Sequence, residues 1–157
     1  MRLRIIVLVA ASCISGCRKE GSPVSLTDQQ QLSVKVENDS LIYALTIPKS
    51  AYFSGDSLNA YFSIQNKTSH LITFIVDSSA VLYYVRNDSS RVIMSYRTKG
   101  FSGHGFFAVL PDGGSGFWIT DELHDEMNAR VRAGSYTLSV GVDNPAAPTL
   151  TLSFTAK

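Results

Sequence analysis

The stretch Leu58-Asn59-Ala60-Tyr61-Phe62-Ser63-Ile64-Gln65 alternates apolar and polar side chains along its whole length. Successive side chains of a β-strand point to opposite faces of a sheet. The even-numbered side chains of this stretch therefore lie on one face and the odd-numbered side chains on the other. The even-numbered face carries Leu58, Ala60, Phe62 and Ile64, and the other carries Asn59, Tyr61, Ser63 and Gln65. We therefore predict a strand whose even-numbered side chains line the core and whose other side is in water.

The same alternation continues on both sides of this stretch. Residues 32–36 and 41–47 form one predicted hairpin, because Asn38-Asp39-Ser40 between them has the chemistry of a turn. Further strands are predicted at residues 71–76, 81–86, 91–96, 106–110, 117–123, 135–142 and 149–155. No segment has a helical period. About 8 to 10 short strands joined by Gly, Asn, Asp and Pro turns predict an all-β fold, an antiparallel β-sandwich.

One local feature refines this fold. Gly134-Ser135-Tyr136 at the head of a predicted strand has the form of a tyrosine corner, in which the phenol donates back to the backbone of the preceding connection. The alternative is an ordinary strand tyrosine.

The order of these turns and strands resembles the intracellular proteinase inhibitor (BsuPI-like) domains. The resemblance spans about Ser50 to Val142 and is carried by five segments: residues 54–58, 64–68, 84–87, 109–114 and 133–136. It implies an immunoglobulin-like sandwich and makes protease inhibition a candidate activity. The usual leucine-proline-glycine turn of that family is interrupted here by Asp112, and no inhibitory residue carries over to a position of this chain.

The N-terminus has a different pattern. Arg2 and Arg4 precede a short apolar run, Ile5 to Ala11, and Ile14-Ser15-Gly16-Cys17 follows. The run is too short to span a bilayer. This arrangement resembles a bacterial lipoprotein signal, which implies a cut after Gly16 and a diacylglycerol on Cys17. The alternatives are an ordinary secretory signal cut near Ala10 or Ala11, or an uncleaved anchor.

The lipoprotein interpretation divides the chain into a signal peptide at 1–16, a lipidated flexible tether at 17–31 and a β-sandwich domain at 32–157. The tether is polar and contains Gly21 and Pro23, and its r.m.s. span is roughly 20 Å. We expect the protein in the bacterial cell envelope, held to a membrane by the lipid on Cys17.

Charge and cysteine content exclude several classes of function. The whole chain has a net charge of +1, and loss of Arg2 and Arg4 leaves about −1, which argues against nucleic acid as a partner. Cys13 leaves with the signal and Cys17 is alkylated, so the domain has no thiol for a disulfide or a metal site.

Motifs of catalysis are absent from the sequence. There is no Gly-x-Ser-x-Gly elbow, His-Glu-x-x-His, phosphate loop or dinucleotide glycine pattern, so we expect no catalytic residue and no cofactor. Residues 113–116 indicate a hairpin connection, and His70 lies in a predicted turn. The acidic run at 121–126, which includes His124, has poor spacing for calcium or zinc, and we predict a solvated run without metal.

The binding candidates are aromatic residues set among glycines. Residues 100–107 and Gly116-Phe117-Trp118 suit contact with a protein or a sugar. The candidate partner-binding residues are Phe101, His104, Phe106 and Trp118. The competing interpretation is that Phe107 and Trp118 cap the core. We expect a membrane-anchored, noncatalytic envelope lipoprotein that binds or assembles an envelope protein or glycan, and the alternative is a proteinase inhibitor.

Overall fold

The computed structural model describes residues 4–6, 30–53, 55–77, 79–97, 105–124 and 131–157. These residues form an all-β fold without a helix, as predicted. The strands are β1 (Arg4–Ile6), β2 (Leu32–Glu37), β3 (Leu41–Ile47), β4 (Ala51–Tyr52), β5 (Ser57–Asn66), β6 (Ile72–Val76), β7 (Val81–Asn87), β8 (Val92–Arg97), β9 (Gly105–Val109), β10 (Gly114–Glu122), β11 (Gly134–Val142) and β12 (Leu150–Ala156). In this described part of the chain, no helix is long and apolar enough to cross a membrane.

The strands form three sheets. Sheet 1 has the order β1-β2-β3-β5-β10, sheet 2 has the order β4-β12-β11-β7-β8, and sheet 3 is the pair β6-β9. The neighbours pair antiparallel except β4 and β12, which are parallel. The order β8-β7-β11-β12 in sheet 2 is that of an immunoglobulin-like sandwich, with β11 in the place of strand F.

The core lies between the inner faces of the sheets. Leu58, Ala60, Phe62 and Ile64 of β5 are all buried, which confirms the predicted register of that strand. Sheet 2 contributes its own buried row from β7, β11 and β12, namely Val85, Leu138, Val140, Leu150 and Phe154. Burying these apolar side chains supplies the main favourable term for folding.

One buried polar side chain fixes the end of β5. The Asn66 amide donates to the carbonyl oxygens of His70 and Val109, at 2.7 and 3.2 Å. Its oxygen accepts from the backbone N–H and the hydroxyl of Thr68, at 2.9 and 2.8 Å. Because both halves of the amide are bonded, its burial is compensated and the turn after β5 is joined to the end of β9.

The predicted tyrosine corner is present at the start of β11. Tyr136 is buried, and its hydroxyl donates to the carbonyl oxygen of Arg132 over 2.7 Å. Its ring stacks on Phe154, with ring centroids 5.8 Å apart. Burial raises the pKa of the Tyr136 phenol, which stays a hydrogen-bond donor.

Two strands in the described part of the chain were not predicted. β4 has only two residues, and it pairs with the end of β12. β1 pairs antiparallel with β2, with Ile5 opposite Val36. β1 lies inside the predicted signal peptide at 1–16, and a cut after Gly16 would remove it and leave β2 as the edge of sheet 1.

Candidate functional site

The alternation along β10 decides where its tryptophan lies. Ile119 is buried, and the ring of Phe117 contacts Phe62 and Phe107 with centroids 6.3 and 5.5 Å apart. Trp118 lies between these two inward residues, so its indole points outward and is 77% exposed. The structure therefore corrects one of the two core-capping predictions: Phe107 packs against the core, but Trp118 does not.

Trp118 meets Tyr61 across the pair of strands. The two residues are directly opposite in the register of β10 and β5, and their ring centroids are 4.7 Å apart with a tilt of 43°. Tyr61 is 36% exposed. We call the outer surface formed by Trp118, Tyr61 and Gly116 the aromatic face.

Gly116 determines how the Tyr61 ring lies. A Cβ at position 116 would be 2.2 Å from the Tyr61 hydroxyl oxygen and 2.8 Å from Cζ. The far end of the Tyr61 ring therefore rests directly on the glycine, in space that any other residue would occupy. Because of this close approach, the Tyr61 ring lies along the sheet and does not project from the sheet.

Short, uncharged side chains surround the aromatic face. Thr120 is opposite Asn59, Ser63 is opposite Gly116, and Thr46 is opposite Tyr61. The Thr46 hydroxyl shares a hydrogen bond of 3.1 Å with Ser33 of β2. These neighbours supply neutral donors and acceptors around two rings.

The charges on this side of sheet 1 lie away from the two rings, on β2 and at the end of β10. Lys35 and Glu37 form an exposed ion pair of 3.0 Å. The Lys35 ammonium, through its hydrogen bond first and its charge second, lowers the pKa of Glu37. The Lys35 and Glu37 charges offset each other, and the exposed carboxylate of Glu122 at the end of β10 adds one negative charge to this side of the sheet.

A groove runs beside Trp118 at the edge of sheet 1. It has a cavity volume of about 490 Å³ and is lined by residues of β10 and β7, among them Phe117, Thr120 and Val81. At one part of its wall the Tyr83 hydroxyl donates to the Asp121 carboxylate over 2.7 Å. This bond links sheet 2 to sheet 1 within the lining of the groove.

Of the other predicted binding residues, the described one, Phe106, does not lie on this face. Phe106 is 72% exposed, but it lies on β9 of sheet 3, opposite Ile75, which is also exposed. Phe101 and His104 lie outside the described residues. Tyr61 was not among the candidates, although its position on the outer side of the clearest strand was a signal that could have indicated it.

The described residues offer little for metal or acid-base chemistry. No group of three His, Cys, Asp or Glu side chains that could hold a metal ion occurs among them. In the acidic run, Asp121 is bonded to Tyr83, Glu122 is exposed and His124 is half-buried. Asp125 and Glu126 fall outside the described ranges. His70 is exposed in a turn, where its carbonyl oxygen accepts from Asn66. The chemistry that the described surface supports best is stacking and neutral hydrogen bonding.

No protein-family model matches this chain, and no curated protein matches it. Solved structures share its fold. An alkylpurine DNA glycosylase of Pseudomonas fluorescens, bound to DNA containing an abasic site analogue, has a TM-score of 0.50 and 11% identity over 71% of this chain and 28% of that chain. A β-glucosidase of Erythrobacter marinus has a TM-score of 0.50 and 14% identity over 75% of this chain and 15% of that chain. The chain thus spans less than a third of these proteins, and the likeness is one of fold.

Proposed function

We propose that this chain is a noncatalytic envelope lipoprotein, anchored by a lipid on Cys17, whose sandwich domain binds an envelope component through the aromatic face. The signal pattern at residues 1–17 supports the anchor, and the polar tether supports a domain held clear of the headgroups. A noncatalytic role agrees with the absence of catalytic motifs from the sequence.

The observation that carries the binding role is the exposure of Trp118 beside Tyr61. A fully covered Trp or Tyr buries roughly 150–250 Å². Trp118 is 77% and Tyr61 36% exposed, and apolar surface removed from water contributes about 25 cal/mol per Å². Covering the exposed part of both rings therefore contributes on the order of 5 kcal/mol. A tryptophan on an outer sheet face, with its ring open and polar neighbours around it, is typical of a site that a partner covers.

Photocrosslinking tests the binding role in the native envelope. A photoreactive phenylalanine analogue is placed at Thr120, which shares the outer side of β10 with Trp118. The matched control carries the same analogue at Ser153, on the outer side of sheet 2. We expect a crosslinked adduct from position 120 and none from position 153. Adding Trp118→Ala to the first variant should reduce the adduct at least tenfold.

Two outcomes would show that the aromatic face is not the binding surface. One is equal adducts from positions 120 and 153, and the other is an adduct at position 120 that persists in the Trp118→Ala variant. Protease inhibition, the second candidate, is supported by the resemblance to proteinase inhibitor domains alone. It stays a prediction, which an inhibition assay of the full chain against serine proteases tests.

A further inference from the structure

We infer that the aromatic face binds a neutral saccharide chain, an inference that rests on the proposed function. Sugar rings present apolar C–H faces and a rim of hydroxyl groups. A complementary protein surface therefore needs an open aromatic ring for the C–H face and neutral donors and acceptors around it for the hydroxyls. Trp118 supplies the open ring, and Thr120, Asn59 and Ser63 supply the neutral polar groups.

The conformation of Tyr61 provides a second, independent observation. Its ring is laid down along the sheet because position 116 has no side chain, and a Cβ there would overlap the Tyr61 hydroxyl. Sheet stability alone does not require a glycine in a strand interior, where its backbone entropy weakens the strand. The glycine instead lets the Tyr61 ring reach from β5 over β10 and lie beside Trp118, so that the two rings form one apolar platform.

The size of the platform favours a saccharide over a folded protein. A specific protein interface buries about 800 Å² on each partner. At their 77% and 36% exposure, Trp118 and Tyr61 together offer at most roughly 300 Å², and the side chains next to them are short. An aromatic pair of this size matches a few sugar rings, which need a narrow contact and a rim of hydrogen bonds.

Charge favours a neutral saccharide over an anionic polymer. The residues opposite and beside the two rings are Thr46, Asn59, Ser63 and Thr120, none of which is charged. The cation closest to them along β2, Lys35, is paired with Glu37. A polyanion would meet no unbalanced positive charge here, whereas a neutral chain needs none.

The sole tryptophan of the chain makes binding directly measurable, because intrinsic tryptophan fluorescence reports on Trp118 alone. The full chain is reconstituted in liposomes and titrated with protease-treated polysaccharide from cells that carry the protein. Soluble neutral oligosaccharides of glucose and of N-acetylglucosamine are titrated in parallel. We expect a saturable change in emission and protection of Trp118 from acrylamide quenching.

Two variants that keep Trp118 test the role of its partner ring. Tyr61→Ala removes the second ring, and Gly116→Ala displaces it from the sheet, so each should weaken saccharide binding at least about tenfold. Phe53→Ala is the matched control, because Phe53 is another exposed ring away from this face. This variant should bind the saccharide as tightly as the unchanged chain does. Acid hydrolysis of the polysaccharide to monosaccharides should abolish the signal.

The titrations and the crosslinking together distinguish a failure of the saccharide inference from a failure of the proposed function. Failure of every saccharide to change the emission, or unchanged affinity in Tyr61→Ala, overturns the saccharide inference. If position 120 still crosslinks to an envelope protein in that case, the binding function stands and the ligand class is a protein. If position 120 crosslinks to nothing as well, both the inference and the proposed function fall.

Discussion

Phe62 lies at the centre of the core, and its neighbour Tyr61 lies on the opposite face of the same strand. Phe62 is fully buried and its ring contacts Phe117. Phe62→Ala should lower the free energy of unfolding by about 3 to 5 kcal/mol, because it leaves a cavity among close-packed side chains. Tyr61→Ala should change it by less than about 1 kcal/mol, since only a cross-strand contact is lost.

Urea unfolding of the two single variants at neutral pH checks this pair. A midpoint that hardly moves for Phe62→Ala would mean that the face of β5 that we place in the core is not buried.

Because Tyr43 and Tyr52 are buried, we expect the protein to lose stability at alkaline pH. Burial raises the pKa of both Tyr43 and Tyr52 from 10.0 to about 12, and for Tyr52 the charge of Asp56 adds to the effect. The folded state therefore holds the proton more tightly than the unfolded chain. Stability is fully present below about pH 10 and falls as the pH rises toward 12.

The double variant Tyr43→Phe/Tyr52→Phe should flatten this dependence between about pH 10 and 12. No hydrogen-bond partner of the Tyr52 hydroxyl occurs among the described residues, so Tyr52→Phe should not lower stability at neutral pH. Chemical unfolding of the variants across this pH range is the measurement. An equally steep alkaline loss in the double variant would assign the loss to other groups.

At the scale of the element, the tyrosine corner fixes the start of β11. Tyr136→Phe removes the bond to the Arg132 carbonyl oxygen but keeps the ring against Phe154. We expect a loss of about 0.5 to 1.5 kcal/mol in the free energy of unfolding, the usual net value of one hydrogen bond. Ser135→Ala, at the exposed neighbouring position, is the control and should have no measurable effect. Equal thermal midpoints for both variants would show that the bond does not stabilise the corner.

The strands that alternate clearly could be predicted from the sequence, because a period of two specifies the buried face of each strand locally. β5 and the β2–β3 hairpin are of this kind. β4 has two residues, too few for any period, and it forms because the Ser50 carbonyl oxygen accepts from the backbone of Thr155 on a distant strand.

The aromatic face could be predicted only in part. Trp118 was a candidate by residue type, but its outward direction depends on which side of β10 meets the core. Its pairing with Tyr61 depends on the register between two strands that are far apart in sequence. Local patterns contain neither fact, because register is set by the packing of the whole sandwich.

At the scale of the whole molecule, Cys17 connects the domain to the membrane in our account. Cys17→Ala removes the only thiol that can carry the lipid, so the variant should accumulate as a longer precursor or as a soluble protein. Membrane fractionation and the apparent mass on gels check this prediction, with Cys13→Ala as the matched control that should behave like the unchanged chain. Unchanged partitioning and size for Cys17→Ala would contradict lipid anchoring.

The central claim is that a partner covers the aromatic face in the native envelope, and thiol labelling tests it most directly. In our proposal Cys13 leaves with the signal and Cys17 carries the lipid, so Thr120→Cys and Thr151→Cys each introduce a single reactive thiol. Thr120 lies beside Trp118, and Thr151 is exposed on the outer side of sheet 2.

Each variant is labelled with a membrane-permeable maleimide, in intact cells and as purified protein. We predict that Thr120→Cys is labelled when purified and protected in cells, and that adding Trp118→Ala restores its labelling there. Thr151→Cys should be labelled in both settings. Equal labelling of Thr120→Cys in cells and in the purified protein would show that nothing covers this face and would contradict the account.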